Sequence, residues 1–134
     1  MQITRETDYA IRCVLYLVEN PGKVIMVDSI AQDKDIPKSF LSKILQKLTR
    51  ADIVSSFRGM KGGFKLSKNP DQISLLTVIE AIEGPVTINR CALDENICSL
   101  SNSCTVHPVW VALRGKLESW LSQHTFEGLT AKDK

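Results

Sequence analysis

Three of the chain's four cysteines fall in one stretch, Cys91 to His107, which reads CALDENICSLSNSCTVH. Cys91, Cys98 and Cys104 follow a C-x6-C-x5-C spacing, and His107 stands three residues beyond the last of them. Thiolates and imidazole are soft or borderline metal ligands, and a reduced thiol is also open to oxidation. Zinc would find a Cys3His donor set here. Structural zinc sites, however, usually bring ligands in pairs separated by about two to four residues, which this spacing does not do. Metal-free thiol sensing and purely structural cysteines are the other readings. His107, beside Pro108, suits the packing of a helix start as well as it suits ligation.

Little in the chain supports catalysis. There is no C-x-x-C pair, no glycine-rich nucleotide motif and no Ser/His/Asp set. The two histidines, His107 and His124, sit close together near the C-terminal end. A redox enzyme is therefore disfavoured. The chain shows no secretory n-region with an apolar stretch and no run as long as a membrane span, so a cytoplasmic protein with reduced thiols is expected.

The net charge of +2 hides a division. Residues 38–68 carry eight Lys or Arg (Lys38, Lys43, Lys47, Arg50, Arg58, Lys61, Lys65, Lys68) against one acid, Asp52. The rest of the chain is acidic. A basic patch on an acidic protein attracts a polyanion at that patch, unless it is merely a solvated helix face.

The elements that must carry these groups are legible in order. At 134 residues, 43% hydrophobic and 24% charged, the chain suits one soluble domain with an appendage. Asp8 to Val18 reads as a largely apolar helix, capped by Thr4 or Thr7 and ended by Asn20-Pro21-Gly22. Cys13 lies on its apolar face and suits core packing. Asp8 suits a cap or a partner for the helix dipole. A short helix fits Val27 to Gln32. Pro37 then starts a helix to about Arg50, with Leu41, Ile44, Leu45 and Leu48 on one face. Lys38, Ser39, Ser42, Lys43, Gln46 and Lys47 occupy the other.

Ile53 to Phe57 alternates as a strand, Arg58 to Gly63 is a glycine-rich turn, and Phe64-Lys65-Leu66 begins the return strand. A helix-turn-helix followed by a hairpin with a basic tip is a winged helix. Its second helix would enter the major groove while the wing reaches phosphates or the minor groove. Ser74 to Glu83 is a further helix closed by Gly84-Pro85. The cysteine stretch follows as a loop. From about Ser103 to His124 a long helix carries Val106, Trp110, Leu113, Leu117, Trp120 and Leu121 as one apolar stripe, suited to self-association or to packing back. Residues from Thr125 onward read as a frayed tail.

The expected fold is thus mainly α with a small β-hairpin. It comprises a winged helix-turn-helix domain (residues 1–84), a cysteine-containing loop (85–107), a dimerisation helix (103–125) and a flexible tail (126–134). TDYAIR, IPKSFLSKILQKL, VSSFRGMKGGFKLSK and the three-cysteine loop, in this order, resemble the IscR/NsrR (Rrf-type) family of winged-helix regulators. The resemblance covers residues 1 to about 125 and is nearest the nitric-oxide-sensing branch at the N-terminal motif.

It implies a homodimeric regulator, a repressor, of double-stranded promoter DNA. Lys38, Ser39, Ser42 and Lys43 would lie on the recognition helix, and Arg58, Gly59 and Lys61 in the wing. It also implies an iron–sulfur cluster (4Fe–4S or 2Fe–2S) on Cys91, Cys98 and Cys104, sensing nitric oxide, redox state or cluster status. The fourth ligand is Asp8 of the partner subunit, as in the nitric-oxide branch, or His107, as in the branch that regulates cluster assembly. Arg12 suits the former. A regulator of the same fold that senses by thiol oxidation or a small ligand is the alternative.

Overall fold

A computed structural model of the chain describes residues 2–94, 96, 100 and 102–130. Its axis is helix α1 (Arg5–Glu19). Thr4 is the N-cap, its hydroxyl accepting from Thr7 N at 3.2 Å. Ala10, Cys13, Val14 and Leu17 recur at helical spacing and are wholly or almost wholly buried. Around them pack α2 (Val27–Lys34), α3 (Lys38–Arg50), α4 (Leu75–Glu83), α7 (Phe126–Thr130) and strand β2 (Gly63–Leu66).

The winged helix-turn-helix unit forms as expected. Asp35, at φ 53°, turns the chain out of α2, and buried Ile36 anchors the turn. Pro37 is the residue before α3 rather than its first residue; its carbonyl accepts from Phe40 N and Leu41 N at 3.0 Å. Leu41, Ile44, Leu45 and Leu48 are buried, as their spacing predicts. Strand β1 (Val54–Phe57) pairs antiparallel with β2, in a register running from Val54↔Leu66 to Phe57↔Gly63. Ile25 adds a bridge on the other edge of β2, exchanging two 2.8 Å hydrogen bonds with Phe64. The wing is thereby fastened to the segment that leads into α2.

Beyond the wing, Ser74 caps α4, and Gly84 at φ +88° ends it. A four-residue helix, α5 (Arg90–Leu93), stands within the stretch expected to be loop, capped by Asn89. Helix α6 spans His107–Ser122, starting four residues later than expected. Pro108 sits in its first turn, where a missing N–H costs nothing.

The expectation of a frayed tail fails for residues 125–130. Thr125 bridges Ser74, Phe126 N donates to Ile73 O at 2.9 Å, and the Phe126 ring is 0% exposed in the core. Phe126 and Leu129, three residues apart, are too few to establish a period, so only tertiary packing reveals their role. Residues 131–134 lie outside the described residues. No helix among the described residues is long and apolar enough to cross a membrane.

Candidate nucleic-acid interface and cysteine loop

The amphipathic pattern of α3 decides which side chains face outward. With four apolar residues pinned in the core, Lys38, Ser39, Ser42 and Lys43 are all exposed. Ser42 Oγ donates to Lys38 O at 3.1 Å and keeps lone pairs free to accept. Lys38 Nζ lies 2.6 Å from Asp28 Oδ1, in the first turn of α2.

The wing supplies the second half of the basic surface. Arg58, Gly59 and Lys61 are exposed at its tip, and Met60 is 97% exposed. Its slimness is enforced by backbone contact: a Cβ on Gly62 would lie 2.4 Å from Phe57 O, and one on Gly63 would lie 2.2 Å from Ile25 O. Any side chain at these positions would push the hairpin apart. Between the wing base and the start of α3 lies an open cleft of about 440 Å³, whose lining includes Asp28, Lys38, Arg58 and Gly59. Of the expected DNA-facing residues, Lys38, Arg58 and Gly59 line this cleft, and Ser39 and Lys43 line a separate one beside Glu6 and Phe40.

Lys47 does not face outward with them. The sequence places Lys47 with the outward basic residues, but its ammonium turns inward, 3.0 Å from Glu6 Oε1 and 3.3 Å from Ile82 O. The turn of α3 that carries it packs against α1 and α4, so the lysine stem crosses an internal groove. Cys13 is core, as its helix face predicts, and burial pushes its thiol pKa up to about 12.

The cysteine loop joins α5 to α6, and these two helices pack together. Cys91, on α5, is half-buried, with its Sγ 3.5 Å from Asn89 Oδ1. Cys104 is half-buried, and both thiols are free. The third expected ligand, Cys98, lies outside the described residues. His107 opens α6 and is buried, and its Nδ1 finds no hydrogen-bond partner among the described residues. A buried ring nitrogen without a partner costs about 1–3 kcal/mol, which ligation would offset. Two free thiols and an unsatisfied imidazole nitrogen at the ends of one loop fit the thiolate-rich donor set of an iron–sulfur centre. Among the described residues, no group of three His, Cys, Asp or Glu side chains is gathered as a closed metal site.

Asp8 is elsewhere, on the first turn of α1. Thr4 takes the capping role, so the Asp8 carboxylate is free of it: it is 66% exposed and 3.6 Å from Arg12 Nη2. Arg12 also donates to Lys34 O at 3.0 Å, tying the end of α2 to α1.

The apolar stripe expected on α6 divides into two faces. Trp110, Leu117 and Leu121 are half-buried, on the side of Arg114, whose Nε donates to Val86 O at 2.8 Å. Val106, Val109, Leu113 and Trp120 are exposed, Trp120 at 63%. Their spacing of three, four and seven residues matches the a and d positions of a coiled coil, a signal present in the sequence but merged there with the inward face.

Comparison with known proteins agrees with this fold. The Rrf2 family model, described as an iron-dependent transcriptional regulator, matches residues 3–132. The HTH-type transcriptional regulator NsrR of Halalkalibacterium halodurans is 30% identical, over 99% of this chain and 89% of its own length. Among solved structures, CymR, the global cysteine regulator of B. subtilis, superposes with a TM-score of 0.78 at 24% identity, covering 98% of each chain. T. potens IscR superposes with a TM-score of 0.74 at 21% identity, covering 100% of this chain and 89% of the other. At these identities the two structures speak for the fold.

Proposed function

Because the chain belongs to the Rrf2 family of transcriptional regulators, we propose that it is a homodimeric repressor whose promoter binding is set by an iron–sulfur cluster at the cysteine loop. Family membership makes it a regulator rather than an enzyme. Its expected place is with the DNA, in the cytoplasm.

The observation that carries the sensing reading is the loop's position. It hangs between the winged unit and α6, with Cys91 and Cys104 free at its two ends and the unsatisfied Nδ1 of His107 just beyond. Cys91, Cys98 and Cys104 would supply three ligands. When bound, a cluster supplies iron reactive toward nitric oxide and oxidants. Asp8 of the second subunit is the fourth ligand in the first reading, supported by its exposed, uncapped carboxylate beside Arg12. His107 is the fourth ligand in the second reading, favoured by its unpartnered nitrogen. The exposed seam of Val106, Val109, Leu113 and Trp120 would join the two copies.

On DNA, Lys38, Ser39, Ser42 and Lys43 would meet the major groove, and Arg58 and Lys61 the wing's minor groove and phosphates. Half-site spacing is a geometric requirement of a dimeric reader, so a small change between the copies alters affinity.

The test is anaerobic purification with visible absorbance, followed by promoter-DNA binding of holo and apo protein at several salt concentrations. Equal affinity of the two forms would sink cluster control. Colourless protein whose DNA binding responds to a thiol oxidant would instead support the cluster-free reading.

A further inference from the structure

Residues 82–86, the end of α4 and the turn after it, are held from three directions. On one side, α3 reaches in: Lys47 Nζ donates to Ile82 O at 3.3 Å and pairs with Glu6 of α1 at 3.0 Å. On a second side, the N-terminus of α1 grips Glu83. Its Oε2 accepts from Thr4 N at 3.3 Å, from Thr4 Oγ1 at 3.2 Å and from Thr7 Oγ1, the last on a wholly buried threonine. On the third, Arg114 of α6 donates to Val86 O at 2.8 Å, and Val86 is itself buried. Arg114 is steadied by Glu118, 3.8 Å away.

Each grip comes from an element with its own task. The α3 helix carries the DNA-facing residues, α1 carries Asp8, and α6 opens at His107 and bears the exposed seam. Between them runs one short segment that includes Gly84 at φ +88°. The two carbonyls take charged donors and the Glu83 carboxylate takes neutral ones, and such charge-assisted bonds resist displacement more than wholly neutral hydrogen bonds do. A shift of α6 therefore pulls on Val86, and the pull meets Lys47 four residues earlier.

We infer that residues 82–86 form a transmission joint through which Arg114 and Lys47 couple the position of α6 to the recognition helix. Lys47 and Arg114 are positioning residues: neither touches DNA nor ligates in this reading. The inference rests on the proposed regulatory function and names the route within it. Because spatial intermediacy alone does not establish coupling, the test must measure coupling itself.

The experiment compares promoter-DNA affinity of the unaltered protein with that of a sensor-loop variant, Cys91→Ser. Both are also made in Lys47→Met and Arg114→Met backgrounds, which keep the apolar stems and remove the charged donors. Thermal unfolding of each variant reports any purely structural loss. In the native background the loop variant shifts affinity by about fivefold or more, the usual scale of coupling between sites. In each Met background that ratio falls toward one, by about twofold or more, the scale seen for residues on a coupling route. The double variant Lys47→Met/Arg114→Met shrinks it no further than the stronger single one, since both act on one segment. If the loop variant's shift survives undiminished in folded Lys47→Met and Arg114→Met proteins, the joint is overturned while loop sensing stands. If Cys91→Ser leaves native affinity unchanged, the sensing reading fails first and the joint has nothing to transmit.

Discussion

Asp28 and Lys38 pair 2.6 Å apart, one in the first turn of α2 and the other at the start of α3. An acid thus occupies an ammonium that the proposed function sets against DNA. Both side chains are mostly exposed, so the pair contributes at most about 1 kcal/mol to the fold. Asp28→Asn is expected to raise DNA affinity by about 1.5- to 5-fold, independently of sequence. Lys38→Ala is expected to lower it and to flatten the salt dependence by about one unit. Titrating one specific and one unrelated duplex over a salt series decides the matter. A loss of affinity in Asp28→Asn would show that the carboxylate helps rather than competes.

On the proposed function the wing would make two separable contributions. If Arg58 reads bases, Arg58→Ala costs about 1–3 kcal/mol of operator binding; if it meets only phosphate, the loss appears as a shallower salt slope. Lys61→Ala should weaken binding evenly across sequences. Gly63→Ala acts on shape instead: its methyl would collide with Ile25 O, so β2 must leave Ile25 and the wing swings from its place. That variant should lose DNA binding while far-UV circular dichroism still reports folded helices.

The fourth ligand can be assigned by deletion. In the first reading, Asp8→Ala alters the visible and resonance Raman spectra of anaerobic holo-protein, and His107→Ala leaves them unchanged. The second reading expects the reverse. Spectra unmoved by either substitution would exclude both residues as ligands.

Phe126 makes the end of the chain part of the core. Phe126→Ala removes a fully buried ring and should cost about 3–5 kcal/mol, measured by urea unfolding. A cost below about 1 kcal/mol would mean that α7 docks only loosely on α1.

Cys13 should be inert where its counterparts react. Its burial holds the proton on sulfur, with a pKa near 12 in the folded state. At pH 8 iodoacetamide should therefore label Cys91 and Cys104 in metal-free protein well before Cys13. The same shift has a stability consequence. Above the unfolded thiol's pKa of about 8.5, the unfolded chain releases a proton that the folded chain keeps. Stability from this group therefore falls as pH rises from about 9 toward 12, and Cys13→Ala should flatten that fall.

Much of this architecture was legible before any coordinates. Apolar residues at helical spacing in α1 and α3, Pro37, and the alternating strand ahead of a glycine-rich turn identify a winged helix, because local propensity and burial pattern agree there. The donor types of the cysteine stretch and the basic cluster at residues 38–68 were equally plain. What only the tertiary structure decided lies where one residue type serves two purposes. Lys47 has the same chemistry as Lys43, yet packing of α3 against α1 and α4 turns it inward as a tie rather than outward toward DNA. The stripe on α6 is one pattern in sequence and two faces in space, because packing against α4 and α5 half-buries Trp110, Leu117 and Leu121 and leaves Leu113 and Trp120 exposed. Periodicity reports that a side chain is apolar or charged. Which neighbour it meets depends on contacts between elements far apart in the chain, as between Lys47 of α3 and Glu6 of α1.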